Sequence, residues 1–97
     1  MMHETFKIIA PYLASQDIVL EVDRVSMFVG HPGSVALTSV AYTITDELKT
    51  AAGSLHLNEE NNDLIAPGTK KFNLHDQNSL PALVSYLFWW HFLSRHF

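Results

Sequence analysis

Apolar and polar residues alternate along the middle of the chain, which is the pattern of half-buried β-strands. In residues 17–30 (DIVLEVDRVSMFVG) the alternation runs over Ile18–Val22 and resumes one position out of phase at Val25. Because side chains of a strand point to its two faces with a period of two, this slip cannot occur in a regular strand. The segment therefore predicts a first strand with a β-bulge or bend near Asp23 and Arg24.

Two further strands are expected next, joined by a short polar hairpin loop. Residues 34–45 (SVALTSVAYTIT) carry β-branched and aromatic side chains on both faces, so we expect a central strand covered on both sides for part of its length. Residues 50–58 (TAAGSLHLN) place Leu55 and Leu57 on one face. Gly53 inside this strand indicates a bulge or a close approach by other atoms.

The chain then becomes more polar. Residues 59–70 (EENNDLIAPGTK) are expected to form a loop from which Leu64 and Ile65 return to the core. Residues 70–76 (KKFNLHD) alternate apolar and polar side chains over a short length. They predict either a short fourth strand or an extended lead-in to the next element.

The N-terminal segment carries a helical pattern with a proline inside it. Phe6, Ile9 and Leu13 recur at the spacing of one helix face. Pro11 removes a backbone donor from such a helix, which strains it. We therefore expect a short helical or extended start followed by one turn from Pro11 to Ser15, with the proline at the first helical position.

The C-terminal segment (LPALVSYLFWWHFLSRHF) predicts a helix from about Leu80 to the terminus, with Ser79 as its N-cap and Pro81 in its first turn. At 100° per residue, five residues fall on the side expected to cover the sheet: Leu80, Leu83, Val84, Leu87 and His91. Five mostly apolar residues fall on the opposite side: Ala82, Tyr86, Trp89, Phe92 and Leu93.

These elements predict one α+β domain over residues 1–97, with an antiparallel sheet of three to four strands and the C-terminal helix packed on one face. The composition is 47% hydrophobic and 16% charged. An ordinary globular domain has about 25% charged residues. The difference excludes a disordered chain and suggests that a partner buries part of the apolar surface.

The charge and cysteine content restrict the function further. The formal net charge is -4, and the six cations are scattered apart from the pair Lys70–Lys71, which disfavours nucleic-acid binding. The absence of cysteine excludes disulfides and thiolate chemistry and suits a cytoplasmic or virion location. The N-terminus lacks the apolar core of a secretion signal.

The apolar C-terminal helix raises the question of a membrane. A membrane span needs about 20 consecutive apolar residues. This segment is shorter and contains Ser85, His91, Ser94 and Arg95, so a span is disfavoured. An interfacial helix would need a polar face, which is missing here.

Burial in a protein–protein interface is the expectation that remains, because tryptophan, tyrosine and phenylalanine anchor such interfaces. The predicted interface residues are Tyr86, Trp89, Phe92, Leu93 and Phe97. The alternative is a helix that ends near Trp90, with the tail folded back onto the sheet.

No residue pattern identifies a catalytic, cofactor or metal site. The six histidines lack metal-ligand spacing, although His56 and His75 would be neighbours if their strands paired. The adjacent carboxylates lie in predicted loops, and no serine has the surroundings of a nucleophile. The glycine-containing segment 30–34 (GHPGS) precedes a strand rather than a helix, so it predicts a turn and not a phosphate loop.

Residues 34–61 resemble segments of small bacteriophage virion or tail-associated proteins, in which an alternating strand leads through a polar loop into a second strand and an acidic segment. The residues that carry the resemblance are Tyr42, Ile44, Asp46, Gly53, Leu55, Leu57, Glu59 and Glu60. The resemblance implies a non-enzymatic assembly role and transfers no functional residue.

Together, the sequence predicts a small non-enzymatic structural or interaction protein that forms homo-oligomers or docks on a protein partner through the C-terminal helix. It needs no cofactor and binds no nucleic acid. The alternative is a small-molecule-binding or enzymatic α+β domain with a pocket between helix and sheet. In that alternative His56, His75 or His91 converges on the pocket with a carboxylate.

Overall fold

The computed structural model describes residues 3–28 and 37–94, with the backbone alone described for 22–28. An N-terminal helix α1 precedes five strands and a C-terminal helix α2. The bounds are α1 Glu4–Ser15, β1 Ile18–Phe28, β2 Leu37–Asp46, β3 Lys49–Asn58, β4 Asp63–Ala66, β5 Lys70–Asn73 and α2 Ser79–Phe88. A 3-10 turn, Pro67–Thr69, joins β4 to β5, and α2 continues as a π-helical turn, Trp89–Leu93.

The α+β class, the antiparallel sheet and the C-terminal helix are confirmed. The sheet is an antiparallel meander in the order β1-β2-β3-β4-β5, so it has one or two strands more than expected. The extra strand, β4, lies in the segment predicted as a loop. Leu64 of β4 pairs with Leu57 and Phe72 on its two sides. A strand of four residues is too short to show an alternation that sequence patterns can detect.

One face of the sheet holds the core, and both helices contribute to it. The core joins Phe6, Ile9 and Leu13 of α1 and Leu83 and Leu87 of α2 to a single row of buried strand residues. In β2 that row is Thr38, Val40, Tyr42 and Ile44, whereas the residues between them are half-buried. Full burial on both faces for part of β2, as expected, is not seen among the described residues, because both helices pack on the same face.

The predicted irregularity of the first strand is present. Glu21 pairs with Ala41 and Ser26 with Ser39, so five steps along β1 match two steps along β2. The out-of-phase apolar residues thus mark a real break in the ladder between these pairs. The predicted turn at 30–33 lies outside the described residues.

Helix α1 runs without interruption through Pro11, contrary to the expectation of a turn beginning there. The proline is exposed, and it deprives the helix of one backbone hydrogen bond. Phe6, Ile9 and Leu13 are at most 6% exposed on the opposite side. Burial of three large apolar side chains at about 1.5–3 kcal/mol each outweighs the loss of about 3 kcal/mol at the proline.

The start of α2 differs from the prediction by one residue. Asn78 occupies the N-cap position, and Ser79 is the first helical residue. The backbone N–H of Ser79 donates to the carbonyl of Asp76, which closes a turn one residue earlier than expected.

Strand β3 extends well beyond its neighbour β4. It pairs with β2 in continuous register over all ten residues, from Lys49 to Asn58. Strand β4 pairs only with the last three, His56 to Asn58. Among the described residues, Lys49–Leu55 therefore have a strand partner on one side only.

Candidate functional site

The inward side of α2 is buried against the sheet, as the helical wheel predicts. Leu83 and Leu87 are fully buried, and His91 of the π-helical turn is 7% exposed. Val84 is also buried, and Leu80 packs against the edge of the core. This side of the helix is occupied by the protein's own fold.

His91 is held by a hydrogen bond to the centre of the sheet. Its Nε2 lies 2.7 Å from the hydroxyl of Tyr42, which is itself fully buried. Burial raises the pKa of the Tyr42 phenol well above its ordinary value, and the nearby Tyr86 raises it further. Tyr42 therefore stays neutral and keeps its proton in the hydrogen bond with the imidazole.

Gly53 makes room for this pair. It lies opposite Tyr42 on β3, and a Cβ at position 53 would lie 2.7 Å from Cζ of the Tyr42 ring. Two carbon atoms that are not bonded to each other do not approach this closely, so any residue larger than glycine would displace the Tyr42 ring. The close approach predicted at Gly53 is present, and a tyrosine side chain makes it.

The outward side of α2 carries a cluster of aromatic rings centred on Tyr86. The Tyr86 ring lies 5.7 Å from those of Phe72 and Trp89 and 6.2 Å from that of Trp90, with which it stacks. Its hydroxyl donates a 2.7 Å hydrogen bond to the carbonyl of Pro67. The cluster is therefore fixed to the β4–β5 turn at one end and to the helix at the other.

Gly68 completes the contact between the turn and the helix. Its φ of 76° is in the left-handed region that favours glycine. A Cβ there would lie 2.8 Å from Cζ3 of Trp90 and 3.0 Å from the Tyr86 hydroxyl. The backbone conformation and the lack of a side chain both allow the two rings to lie directly on the turn.

Part of this cluster is exposed to solvent, and so is Leu93 later in the same π-helical turn. Trp89 is 44% exposed and Leu93 is 57% exposed, while Tyr86 and Trp90 are partly buried. We call these four residues the aromatic surface. It contains the largest exposed side chain among the described residues, that of Trp89.

Two of the five predicted interface residues are not part of the aromatic surface. Phe92 is 9% exposed, belongs to the core, and contacts Phe88 and His91. The helical wheel placed it outward because it assumed 100° per residue, whereas the wider π-helical turn after Phe88 changes the angular spacing. Phe97 lies outside the described residues.

Trp90, which belongs to the aromatic surface, and Gly68, on which it rests, were not among the predicted interface residues. The Pro67-Gly68 pair does signal a turn in the sequence. Which side chains pack on that turn depends on how α2 crosses β5, and no local pattern contains this information.

His56 and His75 are separated in the structure. His56 lies with its Nδ1 2.5 Å from the hydroxyl of Ser39, and His75 bonds to Asn62. Strand β4 stands between β3 and β5, so His56 and His75 do not meet. Among the residues whose side chains the structure describes, 3–21 and 37–94, no group of three or more metal-binding side chains comes together.

A small polar network joins α1 to the β3–β4 loop. The backbone N–H of Thr5 donates to Nδ1 of His3, so Nε2 carries the proton and donates to Glu59 at 3.1 Å. The Thr38 hydroxyl donates to the same carboxylate at 2.7 Å. The hydrogen bond from Thr38, followed by the interaction with His3, holds the pKa of Glu59 below its ordinary value. The network caps the helix and offers no catalytic geometry.

No helix in the described part of the chain is both long enough and apolar enough to span a membrane. Comparison of the chain with protein families, with curated proteins and with solved structures found no match.

Proposed function

We propose that this protein is a small non-enzymatic structural or interaction protein that self-associates or docks on a protein partner through the aromatic surface. The observation that carries the proposal is the exposure of Trp89 and Leu93 on a helix whose inward side is already buried. Contiguous exposed apolar patches on a monomer mark interaction sites or aggregation liabilities.

The construction of the surface supports this role. Tyr86 is held by its hydrogen bond to Pro67, and Trp90 rests on Gly68, so the rings beside Trp89 have little freedom to lose on binding. Preorganised aromatic side chains bind at low entropic cost and are enriched among the residues that dominate interface energies. Lys70, which lies 6.0 Å from the Phe72 ring, adds a cation at the edge of the cluster.

The alternative of a ligand pocket between α2 and the sheet receives no support from the packing. The space between them is filled by Leu83, Leu87 and the Tyr42–His91 pair, all nearly or fully buried. A bacteriophage origin remains a prediction from the resemblance of residues 34–61, and it is compatible with an assembly role.

The test is to replace Trp89 by serine and to measure association by sedimentation velocity and native mass spectrometry across a wide concentration range. We expect the dissociation constant to rise at least about tenfold, as for a hot-spot residue, while the dilute monomer keeps its unfolding midpoint.

The matched control is Ile8→Ser on α1, which removes an apolar side chain that is 71% exposed and lies on the other helix. We expect it to leave association unchanged. A wild-type chain that stays monomeric and retains no partner protein, or a Trp89→Ser variant that associates as well as wild type, would refute the proposal.

A further inference from the structure

The charged residues of this chain are divided unevenly between the stretches that build the aromatic surface and the rest. All ten acidic residues lie within residues 4–63 or at position 76. Residues 64–75 and 77–97 include the β4–β5 turn, β5, α2 and the π-helical turn, and they contain no acidic residue. They do contain three cations: Lys70, Lys71 and Arg95. The chain has a net charge of -4, so the stretches that build the aromatic surface carry the opposite sign.

Lys70 places one of these cations at the edge of the aromatic surface. It begins β5 directly after the Pro67–Thr69 turn, on which Tyr86 and Trp90 lie. Its ammonium is 6.0 Å from the centre of the Phe72 ring, and that ring is 5.7 Å from the ring of Tyr86. Because side chains two positions apart on a strand share a face, Lys70 points to the side of the sheet that carries the helices.

The described part of the protein does not neutralise this cation. Lys70 is exposed, and no carboxylate whose side chain is described lies within ion-pair distance of its ammonium. Opposite charges across an interface attract each other over about 8–10 Å at moderate ionic strength, and they fix the register of the two partners. The Lys70 ammonium is therefore a position at which a partner's anion is favoured.

We propose that the aromatic surface binds a segment of another protein in which a large apolar or aromatic side chain lies close to a carboxylate. This proposal rests on the proposed function and specifies the chemistry of the partner. The apolar side chain of the partner packs on Trp89 and Leu93, and its carboxylate pairs with Lys70.

The structure also limits the spacing of these two groups in the partner. Two rings, those of Phe72 and Tyr86, lie between the Lys70 ammonium and Trp89, and successive centres are 6.0, 5.7 and 5.7 Å apart. An extended segment advances about 3.3 Å per residue. The apolar side chain and the carboxylate are therefore separated by no more than about five residues of an extended partner.

A negatively charged membrane would offer apolar contacts and anions as well, but the charge distribution favours a protein. A membrane is large compared with this domain, so it would repel the acidic residues that dominate the rest of the chain. A protein segment contacts the aromatic surface alone. Its carboxylate then meets the cationic stretch of the chain without approaching the acidic one.

The test selects binders to the wild-type chain from a phage-displayed library of random peptides and measures their dissociation constants by calorimetry. We expect the selected peptides to share an apolar or aromatic residue and an acidic residue within about five positions. We expect Trp89→Ser to raise the dissociation constant of such a peptide at least about tenfold. Replacement of the acidic residue of the peptide by its amide should weaken binding to the wild type.

Charge reversal at Lys70 provides the decisive comparison. We expect Lys70→Glu to raise the dissociation constant about tenfold, because a like charge then faces the carboxylate of the peptide. A peptide with lysine in place of its acidic residue should bind this variant more tightly than it binds the wild type. The matched control is Lys71→Glu, which makes the same change of net charge at the exposed neighbour on the opposite face of β5. We expect it to leave the dissociation constant nearly unchanged.

The outcomes that contradict the proposal are distinguishable from a failure of the proposed function. If Trp89→Ser abolishes peptide binding but Lys70→Glu and Lys71→Glu have equal effects, the pairing with a carboxylate is wrong and the proposed function stands. If the chain self-associates through Trp89 and Lys70→Glu associates as well as wild type, a second copy occupies the surface, and only the present proposal fails.

Two further outcomes overturn both proposals. The first is that the selected peptides bind Trp89→Ser as tightly as wild type, because the aromatic surface is then not the docking site. The second is that the selection returns no binder while the wild type, but not Trp89→Ser, sediments with vesicles of phosphatidylcholine and phosphatidylserine. The occupant is then a lipid surface.

Discussion

The two helices of this protein cover the same face of the sheet but differ in what their other side offers. Helix α1 buries Phe6, Ile9 and Leu13 and exposes a mixed outer side with Glu4 and Lys7. Helix α2 and its π-helical turn bury Leu83, Leu87 and His91, and they expose Trp89 and Leu93 on the other side. The comparison shows that the exposed side of α1 has one large apolar side chain, Ile8, whereas the C-terminal segment exposes two, Trp89 and Leu93.

The helices are also anchored by different chemistry. His3 caps α1 and bonds to Glu59 at the surface, where water screens the interaction. The π-helical turn is anchored by the buried Tyr42–His91 hydrogen bond. A buried polar contact is costly to break, because neither group can then turn to water. The C-terminal anchor should therefore matter more for stability than the N-terminal one.

The largest expected effect is on the free energy of unfolding, and it distinguishes the buried side of the C-terminal segment from its exposed side. Leu87→Ala removes a fully buried side chain and leaves a cavity, so we expect the free energy of unfolding to fall by about 2–5 kcal/mol. Urea denaturation of the dilute protein measures it.

Leu93→Ala is the matched control, because it makes the same chemical change on the exposed side of the same segment. We expect it to change the free energy of unfolding by less than about 0.5 kcal/mol. Equal losses for the two variants would show that the segment has no outward side, and the proposed surface would have to be abandoned.

The second effect concerns the buried anchor. Tyr42→Phe keeps the ring but removes the hydroxyl that meets His91, leaving the imidazole without this partner. We expect a loss of about 1–3 kcal/mol, the cost of an unsatisfied buried polar group. Tyr86→Phe removes a hydroxyl that bonds to Pro67 in a partly exposed site, and it should cost less. The reverse order of the two losses, measured in parallel denaturation curves, would contradict the proposed difference in anchoring.

The smallest expected effect is on the melting temperature and depends on pH. It concerns the hydrogen bond between His3, which caps α1, and Glu59. The pKa of Glu59 is lower in the folded protein than in the unfolded chain. Its carboxylate therefore stabilises the fold above the unfolded pKa, about 4.3, and this contribution is lost as the pH falls through the folded pKa. We expect Glu59→Gln to lower the melting temperature slightly at neutral pH. At pH values below the folded pKa of Glu59, we expect it to leave the melting temperature unchanged.

Thermal melts of the wild type and of Glu59→Gln across this pH range measure the difference. Glu60→Gln is the control, since it makes the same chemical change at the exposed neighbour of Glu59. A Glu59→Gln variant whose melting temperature differs from that of wild type by the same amount at every pH would disprove the linkage.

Patterns with a clear period predicted the central part of the fold. Alternation located β2 and β3, and the phase slip after Val22 located the break in β1. Strand β4 was missed, because four residues do not establish a period. Helix α1 was predicted to be interrupted, because a proline inside a helix removes a backbone hydrogen bond. The burial of Phe6, Ile9 and Leu13 compensates for this loss, but it depends on the whole core and cannot be seen in the local sequence.

The candidate surface was predicted only in part. The two-sided apolar pattern of the C-terminal segment identified Trp89 and Leu93 as outward-facing, and both are exposed. Phe92 was misplaced, because a helical wheel assumes a regular α-helix and the segment changes to a π-helical turn at Trp89. Trp90 was missed because its position depends on Gly68, which lies 22 residues earlier in the chain.

The amino-acid sequence by itself determined the class of the fold, the sheet-facing side of α2 and the surplus of apolar residues at the C-terminus. These properties follow from local periodicity and composition, which every short window of the chain contains. Only the tertiary structure decided that Tyr42 forms a hydrogen bond with His91, that Trp90 packs on Gly68, and that β3 extends beyond its pairing with β4. Each of these depends on where distant segments cross, and that is set by how the whole core packs rather than by any one stretch of residues.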